Sequence, residues 1–305
     1  MVPNRWRITT EHQGQESQAF QEPLYDANAL RPLIDGLTIV HGPRALLGEF
    51  VLRAYAECQR RGVWLSFAPI EILTEINQRN RESWAPLLSI FDHRFDQLKQ
   101  DNSYCIVGRS DANEIIYTRA ARLYRLGSGE ADANFAELTE RMRHIYGKPS
   151  DAPNENETWS LSGPASETMK LISGRVAFSG AVWCHPTFRK RGFTSIASSI
   201  GRACSQAIWG NDYTVTFMVK NVVNSGHAAK TGYSNVSWTV HARNTSLGDL
   251  DLAFLWMDRD EAMMQVENML GTTLLQVDRT IVDGSGTEKG LSGLKLLRRQ
   301  KVPVA

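Results

Sequence analysis

The sequence predicts a mixed α/β (α+β) protein with a central twisted sheet flanked by helices. Short apolar segments rich in β-branched and aromatic residues alternate with longer segments whose apolar residues recur at helical spacing. The clearest unit is a strand over Arg175–Cys184, a basic loop, and a helix with apolar positions from Ile196 to Trp209. A hairpin over 103–124 and a strand over Tyr213–Val219 favour the same class.

The composition is that of an ordinary globular protein. The chain has 305 residues, of which 42% are hydrophobic and 22% charged, so a sizeable core is available. With 34 basic against 33 acidic side chains the net charge is +1, which disfavours a general nucleic-acid or anionic-membrane binder. The four cysteines form no Cys-x-x-Cys pair, so we expect reduced thiols and a cytoplasmic location. We expect no membrane span and no signal peptide, because the N-terminus is polar and long apolar runs are lacking.

The N-terminal part combines an arm, a helix and a strand. Residues 1–40 predict an extended arm, because periodic apolar positions are few. A helix is predicted over Arg44–Arg61, followed by a strand over Gly62–Ala68. A helical region then begins at Pro69 and, after an interruption near 79–86, resumes to about Leu98.

A hairpin and a long insertion precede the Arg175 strand. The strands of the hairpin are predicted over Ser103–Gly108 and Glu114–Tyr124. The insertion covers about 127–174, with a helix over Ala133–Tyr146 and a Pro/Asn/Glu/Ser-rich loop over Lys148–Ser166. Two interpretations of this insertion stay open, namely a lid or subunit contact and a tolerated surface loop.

The basic loop is suited to an anion. Three consecutive cations, residues 189–191, stand directly before Gly192, and Thr194 and Ser195 are predicted to cap the helix that follows. A helix N-terminus offers unpaired N–H groups and the positive end of the helix dipole, and a glycine lets the main chain approach a ligand oxygen. We therefore expect a phosphate or diphosphate to be held here, largely by main-chain groups.

The loop lacks the glycine and Lys-Ser/Thr pattern of a P-loop and the spaced glycines of a dinucleotide fingerprint. Its pattern Arg189-x-x-Gly192-x-Thr194, preceded by Pro186 and Phe188, resembles the acyl-CoA loop of the GNAT superfamily of N-acyltransferases. That loop reads Gln/Arg-x-x-Gly-x-Gly/Ala. The departure is Thr194, which brings a β-branched side chain near the diphosphate.

A second signature follows in the expected order. The strand over Tyr213–Val219 is followed by Asn221, and Ser225–Tyr233 predicts a short helix ended by Gly232. This is similar to the second GNAT signature, in which a strand is followed by Asn, a short helix and a Gly-aromatic pair. Gly232 and Tyr233 occupy the places of that pair.

Further strands and a helix complete the predicted GNAT-like domain, which spans 41–275. Strands are predicted over Val236–His241 and Leu252–Met257, and Asp258–Glu261 fits a helix start. Residues 276–305 are predicted to form a C-terminal tail. The apolar face of the last helix is interpreted as core or dimer packing rather than a cofactor box, and comprises Met263, Met264, Val266, Met269 and Leu270.

The resemblance implies a binding mode and a co-substrate. The fourth and fifth strands of the family fold splay apart to admit pantetheine, and a main-chain N–H on the fourth strand polarises the thioester carbonyl. The implied co-substrate is acetyl-CoA or another acyl-CoA, with no metal. The residues implied in its binding are Val182, Cys184, Arg189, Lys190, Arg191, Gly192, Phe193, Thr194, Ser195 and Asn221.

The proton donor is the main departure from the family. Many relatives protonate the leaving thiolate with a tyrosine whose place here holds Ala228. His227, Ser225 and Tyr233 are the alternative donors, although His227 is also interpreted as a surface helix residue and Tyr233 as a core aromatic. Cys184 is interpreted as a buried thiol rather than a nucleophile. Base candidates of lower rank are His185 and the acceptor-side carboxylates Glu71, Glu75 and Glu82.

Two functions of different classes follow. The first is an acyl-CoA-dependent N-acyltransferase that acts on an amine of a small molecule or a protein. The second is a GNAT-fold protein that binds CoA or another anion as a sensor or scaffold without catalysis, as Ala228 and Thr194 suggest. Neither nucleic acid nor membrane is expected as a partner, and a homodimer is left open.

Overall fold

The computed structural model describes residues 29–95, 98–99, 101–127, 135–136, 138, 156–245 and 247–271. Over these residues nine strands form one sheet in the order β1-β2-β3-β4-β6-β7-β9-β8-β5. The strands are Arg31–Pro32 (β1), Trp64–Ala68 (β2), Ser103–Arg109 (β3), Ile115–Leu126 (β4), Thr158–Leu161 (β5), Gly174–Cys184 (β6), Tyr213–Val219 (β7), Asn235–Thr245 (β8) and Gly248–Asp258 (β9).

Helices cover both faces of the sheet. Short 3-10 turns at Ser89–Phe91 and Pro186–Phe188 join some of the elements. The helices are Leu33–Gly36 (α1), Arg44–Arg60 (α2), Ile72–Arg79 (α3), Pro164–Leu171 (α4), Phe193–Trp209 (α5), Lys220–Asn224 (α6), His227–Lys230 (α7) and Arg259–Met269 (α8).

Two large apolar clusters lie on opposite faces of the sheet. On one face α2, α5 and α8 pack together, with Phe50, Ile200 and Val266 among the buried side chains. On the other face Phe91 and Met169 pack against the sheet. The predicted class, a mixed α/β fold with a central sheet flanked by helices, is confirmed.

The sheet is antiparallel except for one pair of strands. β6 and β7 run parallel and pair over Val176–Phe178 with Tyr213–Val215. β6 continues to Cys184 and β7 to Val219 beyond that pairing, so the two strands part towards their carboxyl ends. A gap between neighbouring strands in the middle of a sheet is the feature that the resemblance implied.

Several boundaries differ from the sequence expectations. The helix expected to resume towards Leu98 is a 3-10 turn at Ser89–Phe91 among the residues that the structure describes. The helix expected over Ser225–Tyr233 is shorter, α7 at His227–Lys230 after Gly226, whose φ is 74°, and a separate helix that was not predicted, α6, precedes it. In α8, by contrast, Asp258 and Glu261 form the expected start as a reciprocal capping box.

The end of the insertion belongs to the sheet. The segment expected as a loop over Lys148–Ser166 contains β5 and the first turn of α4. β5 pairs antiparallel with β8, with Leu161 opposite Val240, and forms an edge of the sheet. Of the helix expected over 133–146, the described residues 135, 136 and 138 are helical. Residues 1–28 of the arm and the tail over 276–305 lie outside the described residues.

Candidate functional site

β6 carries a bulge three residues after Phe178, where its pairing with β7 ends. Residues 181–182 lie opposite the single β4 residue Arg119. Ala181 has a φ of 51°, and its carbonyl accepts a hydrogen bond of 2.9 Å from the hydroxyl of Thr118. A bulge leaves its extra residue outside the ladder of strand hydrogen bonds. The main chain near Val182 is therefore turned out of the β4–β6 pairing where the strands part.

The loop after β6 leaves the start of α5 without a side-chain cap. Gly192 is the N-cap residue, with a φ of 77° in the left-handed region that glycine adopts without strain. The prediction that Thr194 and Ser195 cap this helix is wrong, because α5 begins earlier, at Phe193, and contains both of them. The Ser195 hydroxyl instead donates to the carbonyl of Lys230. The first-turn N–H groups of a 17-residue helix thus lack side-chain partners and favour an anion.

The three loop cations have different surroundings. Arg189 donates from Nε to the carbonyl of Cys184 and from Nη2 to the carbonyl of Ser83, each at 3.0 Å, so it braces two segments. The guanidinium of Arg191 stacks over the ring of Phe188 at 4.2 Å from its centroid. Lys190 is exposed, with a φ of 62°. Arg189 is therefore occupied in holding the loop, while Lys190 faces solvent.

A fourth cation, Arg61, was missed by the sequence analysis. Its Nη1 donates to the carbonyl of Arg191 at 2.7 Å and lies 2.6 Å from where a Cβ at Gly192 would stand. Glu57, which is 5% exposed, accepts from Arg61 Nε at 2.8 Å and from Nη2 at 2.6 Å. The packing of α2 against α5 brings Arg61 beside the loop. No local sequence pattern predicts this contact.

An open cleft of about 400 Å³ adjoins this cation. Polar, charged and aromatic groups from the end of α2, the β3–β4 turn and the basic loop line it. They are Arg61, Gly62, Ser110, Asp111, Ala112, Glu114, Phe188 and Arg191. Because two arginines and two carboxylates share the cleft, its charge is mixed, and it is less suited to a diphosphate than the start of α5 is.

Exposed apolar side chains flank the mouth of the β6–β7 gap. Val182 on β6 is 37% exposed, and Val219 at the end of β7 is 41% exposed. Val222 and the exposed Asn221 follow on α6. Apolar side chains on both sides of an open gap suit a ligand with an aliphatic chain.

The expected proton donors are not equivalent. His227 begins α7 and is half-buried, and burial followed by the charge of Lys230 lowers the pKa of its imidazole. The Ser225 hydroxyl is exposed and donates to the carbonyl of Val222 at 2.7 Å. Tyr233 is only 5% exposed and packs in a cluster with Ala228. Tyr233 is therefore a core residue that does not face solvent, in line with its interpretation from the sequence as a core aromatic.

Because Ala228 is buried, a tyrosine general acid cannot simply be introduced at this position. Its side chain points into the cluster around Tyr233 rather than out of α7. A tyrosine introduced there would overpack the core, so Ala228→Tyr is expected to destabilise the protein rather than restore a general acid.

Cys184 and His185 close β6. Burial raises the pKa of the Cys184 thiol to about 11, so the thiol is neutral near pH 7, as expected for a packing residue. His185 Nδ1 lies 2.7 Å from the hydroxyl of Thr187 within the 3-10 turn. Phe193, expected as a cofactor-binding residue, has a fully buried side chain against Tyr117, so only its main chain faces the loop.

The wall on the other side of β6 is aromatic. Trp183 stacks on Trp84 with ring centroids 5.6 Å apart, and its Nε1 donates to the hydroxyl of Ser83 at 3.1 Å. Of the acceptor-side carboxylates, Glu75 is paired with Arg79 at 3.0 Å. Across the described parts of the chain no group of His, Cys, Asp and Glu is suited to a metal ion. No helix in those parts is long and apolar enough to cross a membrane.

Comparisons with known proteins give structural neighbours only. No family model matches the chain, and no curated protein matches it. The acetyltransferase of the GNAT family from Streptococcus pneumoniae matches at 10% identity and a TM-score of 0.37, over 64% of this chain and 98% of that one. Spermidine N-acetyltransferase from Vibrio cholerae matches at 10% identity and 0.38, over 66% and 95%. YncA from Salmonella typhimurium, solved with its cofactor acetyl-CoA, matches at 12% identity and 0.34, over 65% and 94%.

The topology of this chain is informative in itself. An antiparallel hairpin precedes β6, a parallel neighbour pairs with β6 only as far as Phe178, and a helix follows a glycine-containing basic loop. Two short helices and the Gly232-Tyr233 pair follow the parallel strand. The sheet order and the parted pair of strands make this fold GNAT-like.

Proposed function

We propose that the protein is an acyl-CoA-dependent N-acyltransferase that transfers an acyl group, with acetyl-CoA as the first candidate donor, directly to an amine. The observation that supports it most is the parting of β6 from β7 beside the uncapped start of α5. An elongated ligand with an anionic end and an aliphatic arm fits that combination, and acyl-CoA has both.

In the proposed binding mode, main-chain groups bind the charged diphosphate of acyl-CoA and side chains contact its pantetheine arm. The diphosphate accepts from the N–H groups of residues 193–195, with Lys190 and Arg61 supplying positive charge nearby. The pantetheine arm lies between Val182 and Val219. The main chain at the β6 bulge donates to the thioester carbonyl, where negative charge develops during transfer.

The proton transfers that the reaction requires favour His227 as a base. The amine nitrogen attacks the thioester carbonyl carbon, the C–S bond breaks, and the nitrogen loses one proton while the sulfur gains one. Because the pKa of His227 is lowered, its imidazole is neutral at pH 7 and suited to accept the proton from nitrogen. Water supplies the proton to sulfur, since Tyr233 is buried and Ala228 has no acidic group.

The proposed partner is an amine, of a small molecule or a protein, in the cytoplasm. The four cysteines are free in the structure, and burial raises the thiol pKa of Cys58 to about 12, as suits unreactive reduced thiols. We place the acceptor beside Trp84, which is half-buried and stacks on the buried Trp183 of β6, on the side of the sheet away from α5. Aromatic faces attract ammonium groups.

A thiol-release assay with pooled amines tests this proposal. Polyamines, amino sugars and peptides are incubated with acetyl-CoA and the protein, and free CoA thiol is measured against an amine-free control. We expect amine-dependent release, with His227→Ala lowering kcat by no more than about a hundredfold and leaving acetyl-CoA affinity unchanged. Ser225→Ala is the matched control and should behave as wild type.

The opposite outcome favours the second function. If CoA copurifies with the protein but no amine supports thiol release, the chain is a CoA-binding protein without catalysis. The buried Ala228 and Tyr233, which leave the usual acid absent, are the observations behind that alternative.

A further inference from the structure

A second cluster of reactive side chains lies at the edge of the sheet that β5 forms. The hydroxyl of Ser162 is 2.9 Å from His241 Nε2, and His241 Nδ1 is 2.8 Å from Asp251 Oδ1. The three residues come from the end of β5, from β8 and from β9. A hydroxyl on one imidazole nitrogen and a carboxylate on the other is the connectivity that activates a serine as a nucleophile.

Arg243 contacts both members of the His241–Asp251 pair. Its Nη2 lies 2.7 Å from both His241 Nδ1 and Asp251 Oδ1. The donor or acceptor role of each imidazole nitrogen depends on the tautomer. A nucleophilic Ser162 requires the tautomer in which Nδ1–H donates to Asp251 and the lone pair of Nε2 faces the Ser162 hydroxyl.

The cluster is open to solvent and adjoins a helix start. The side chains of His241 and Asp251 are 28% and 57% exposed. α4 begins directly after Gly163 at Pro164, which has no N–H, and the N–H of Ser166 donates to the carbonyl of Gly163 at 3.1 Å.

We propose that Ser162, His241 and Asp251 form a second, nucleophilic site that cleaves carboxylic esters. Ser162 Oγ attacks the ester carbonyl carbon while its proton moves to His241 Nε2. The bond to the alcohol oxygen then breaks, and the alcohol leaves with that proton. Water adds to the acyl-serine, giving one proton to His241, and the acid leaves as the Ser162–acyl bond breaks and Ser162 regains the proton.

This site is separate from the proposed acyl-CoA site. In the sheet β7, β9 and β8 lie between β6 and β5. Ser162 comes from the end of β5, within the insertion between β4 and β6, whereas the basic loop directly follows β6. The ester site therefore needs neither CoA nor Gly192, and its failure would leave the acyltransferase proposal untouched.

Covalent labelling of the full-length protein with a fluorophosphonate tests the proposal. The Ser162 oxygen would form a bond to phosphorus as fluoride leaves, and peptide mass spectrometry locates the adduct. We expect labelling at Ser162 that is lost in Ser162→Ala and lowered about a hundredfold in rate in His241→Gln, which removes the base. Ser160→Ala, an exposed serine two residues earlier on β5, is the matched control and should label as wild type.

Hydrolysis of p-nitrophenyl acetate provides the second readout. It should fall with Ser162→Ala and His241→Gln, and it should be unchanged in the control Ser160→Ala. Asp251→Asn should slow labelling without abolishing it, and because Asp251 is exposed this variant is expected to fold. The proposal is overturned if wild type is not labelled at Ser162, or if His241→Gln labels Ser162 as fast as wild type does.

Discussion

The two candidate sites share one sheet but are built in different ways. The acyl-CoA site uses mostly main-chain groups of one continuous segment, from the bulge in β6 to the start of α5. The Ser162 cluster uses side chains from the end of β5 and from the β8–β9 hairpin, with Ser162 79 residues before His241. A site made from a continuous segment leaves a spaced pattern in the sequence, whereas a site made across strands leaves none.

One aromatic residue connects the supports of both sites. The ring of Phe217 on β7 lies 5.4 Å from that of Phe178 on β6 and 6.0 Å from that of Trp159 on β5. It also lies 5.6 Å from Phe254 on β9. The two sites are thus chemically independent but depend on the same core.

The largest expected effect is on that shared core. Phe178 is 1% exposed and is the last β6 residue paired with β7. Phe178→Ala should lower the free energy of unfolding by about 3–5 kcal/mol, because a large cavity replaces the ring. Urea denaturation measures this, with the exposed Val182→Ala on the same strand as control. An effect below 1 kcal/mol, or loss of one activity alone, would show that the sites do not share this support.

A smaller expected effect is on acetyl-CoA binding alone, and it distinguishes the two sites. Arg61→Ala removes the bond to the Arg191 carbonyl and a nearby charge, so the dissociation constant of acetyl-CoA should rise about tenfold while ester cleavage stays unchanged. Arg60→Ala is a matched control, because Arg60 also pairs with Glu57, at 2.9 Å, and is not bonded to the loop. Equal losses in the two variants, measured by isothermal titration calorimetry, would assign the effect to Glu57 rather than to the loop.

The smallest expected effect is on the pH dependence of stability. It comes from Asp92, which follows the 3-10 turn on the acceptor side of β6. Burial favours a raised pKa for Asp92, but the hydrogen bonds from Arg94 outweigh it and hold the pKa below its usual range. Stability from this carboxylate is therefore present above the unfolded pKa of about 3.9 and is lost as the pH falls through the lower folded pKa.

Unfolding of wild type and Asp92→Asn at several pH values measures this contribution. Asp92→Asn should weaken the acid dependence, whereas Glu75→Gln, at an exposed ion pair, should change little. Identical acid dependence in wild type and Asp92→Asn would contradict the assignment.

Much of the fold could be predicted because single-strand and single-helix patterns are local. The predicted strand over Tyr213–Val219 matches β7, and the helix over Arg44–Arg61 matches α2 to within one residue. β5 was missed because its four residues sit in a polar segment and are ordered by pairing with β8. α6 was missed because a helix of five residues is too short to show a periodic apolar pattern.

In the candidate sites too, residues in local patterns could be predicted, and residues joined only by packing could not. Gly192 and its cations were found from spacing, but the caps were misassigned because a glycine in the left-handed region can itself begin a helix. Arg61 lies 130 residues before its partner Arg191, and only the packing of α2 on α5 joins them. Ser162 and His241 each look like an ordinary polar residue until the strands are paired.

Calorimetric titration of acetyl-CoA into wild type, Gly192→Val and Gly248→Val tests the central claim most directly. Both glycines have a positive φ, 77° and 86°, so both variants strain the backbone, but only a side chain at Gly192 would displace Arg61 and crowd the start of α5. We expect binding to wild type and Gly248→Val, and at least tenfold weaker binding to Gly192→Val, since each lost hydrogen bond to a charged group costs about 1.5–3 kcal/mol. Undiminished binding to a folded Gly192→Val, or none to wild type, would contradict an acyl-CoA site at this loop.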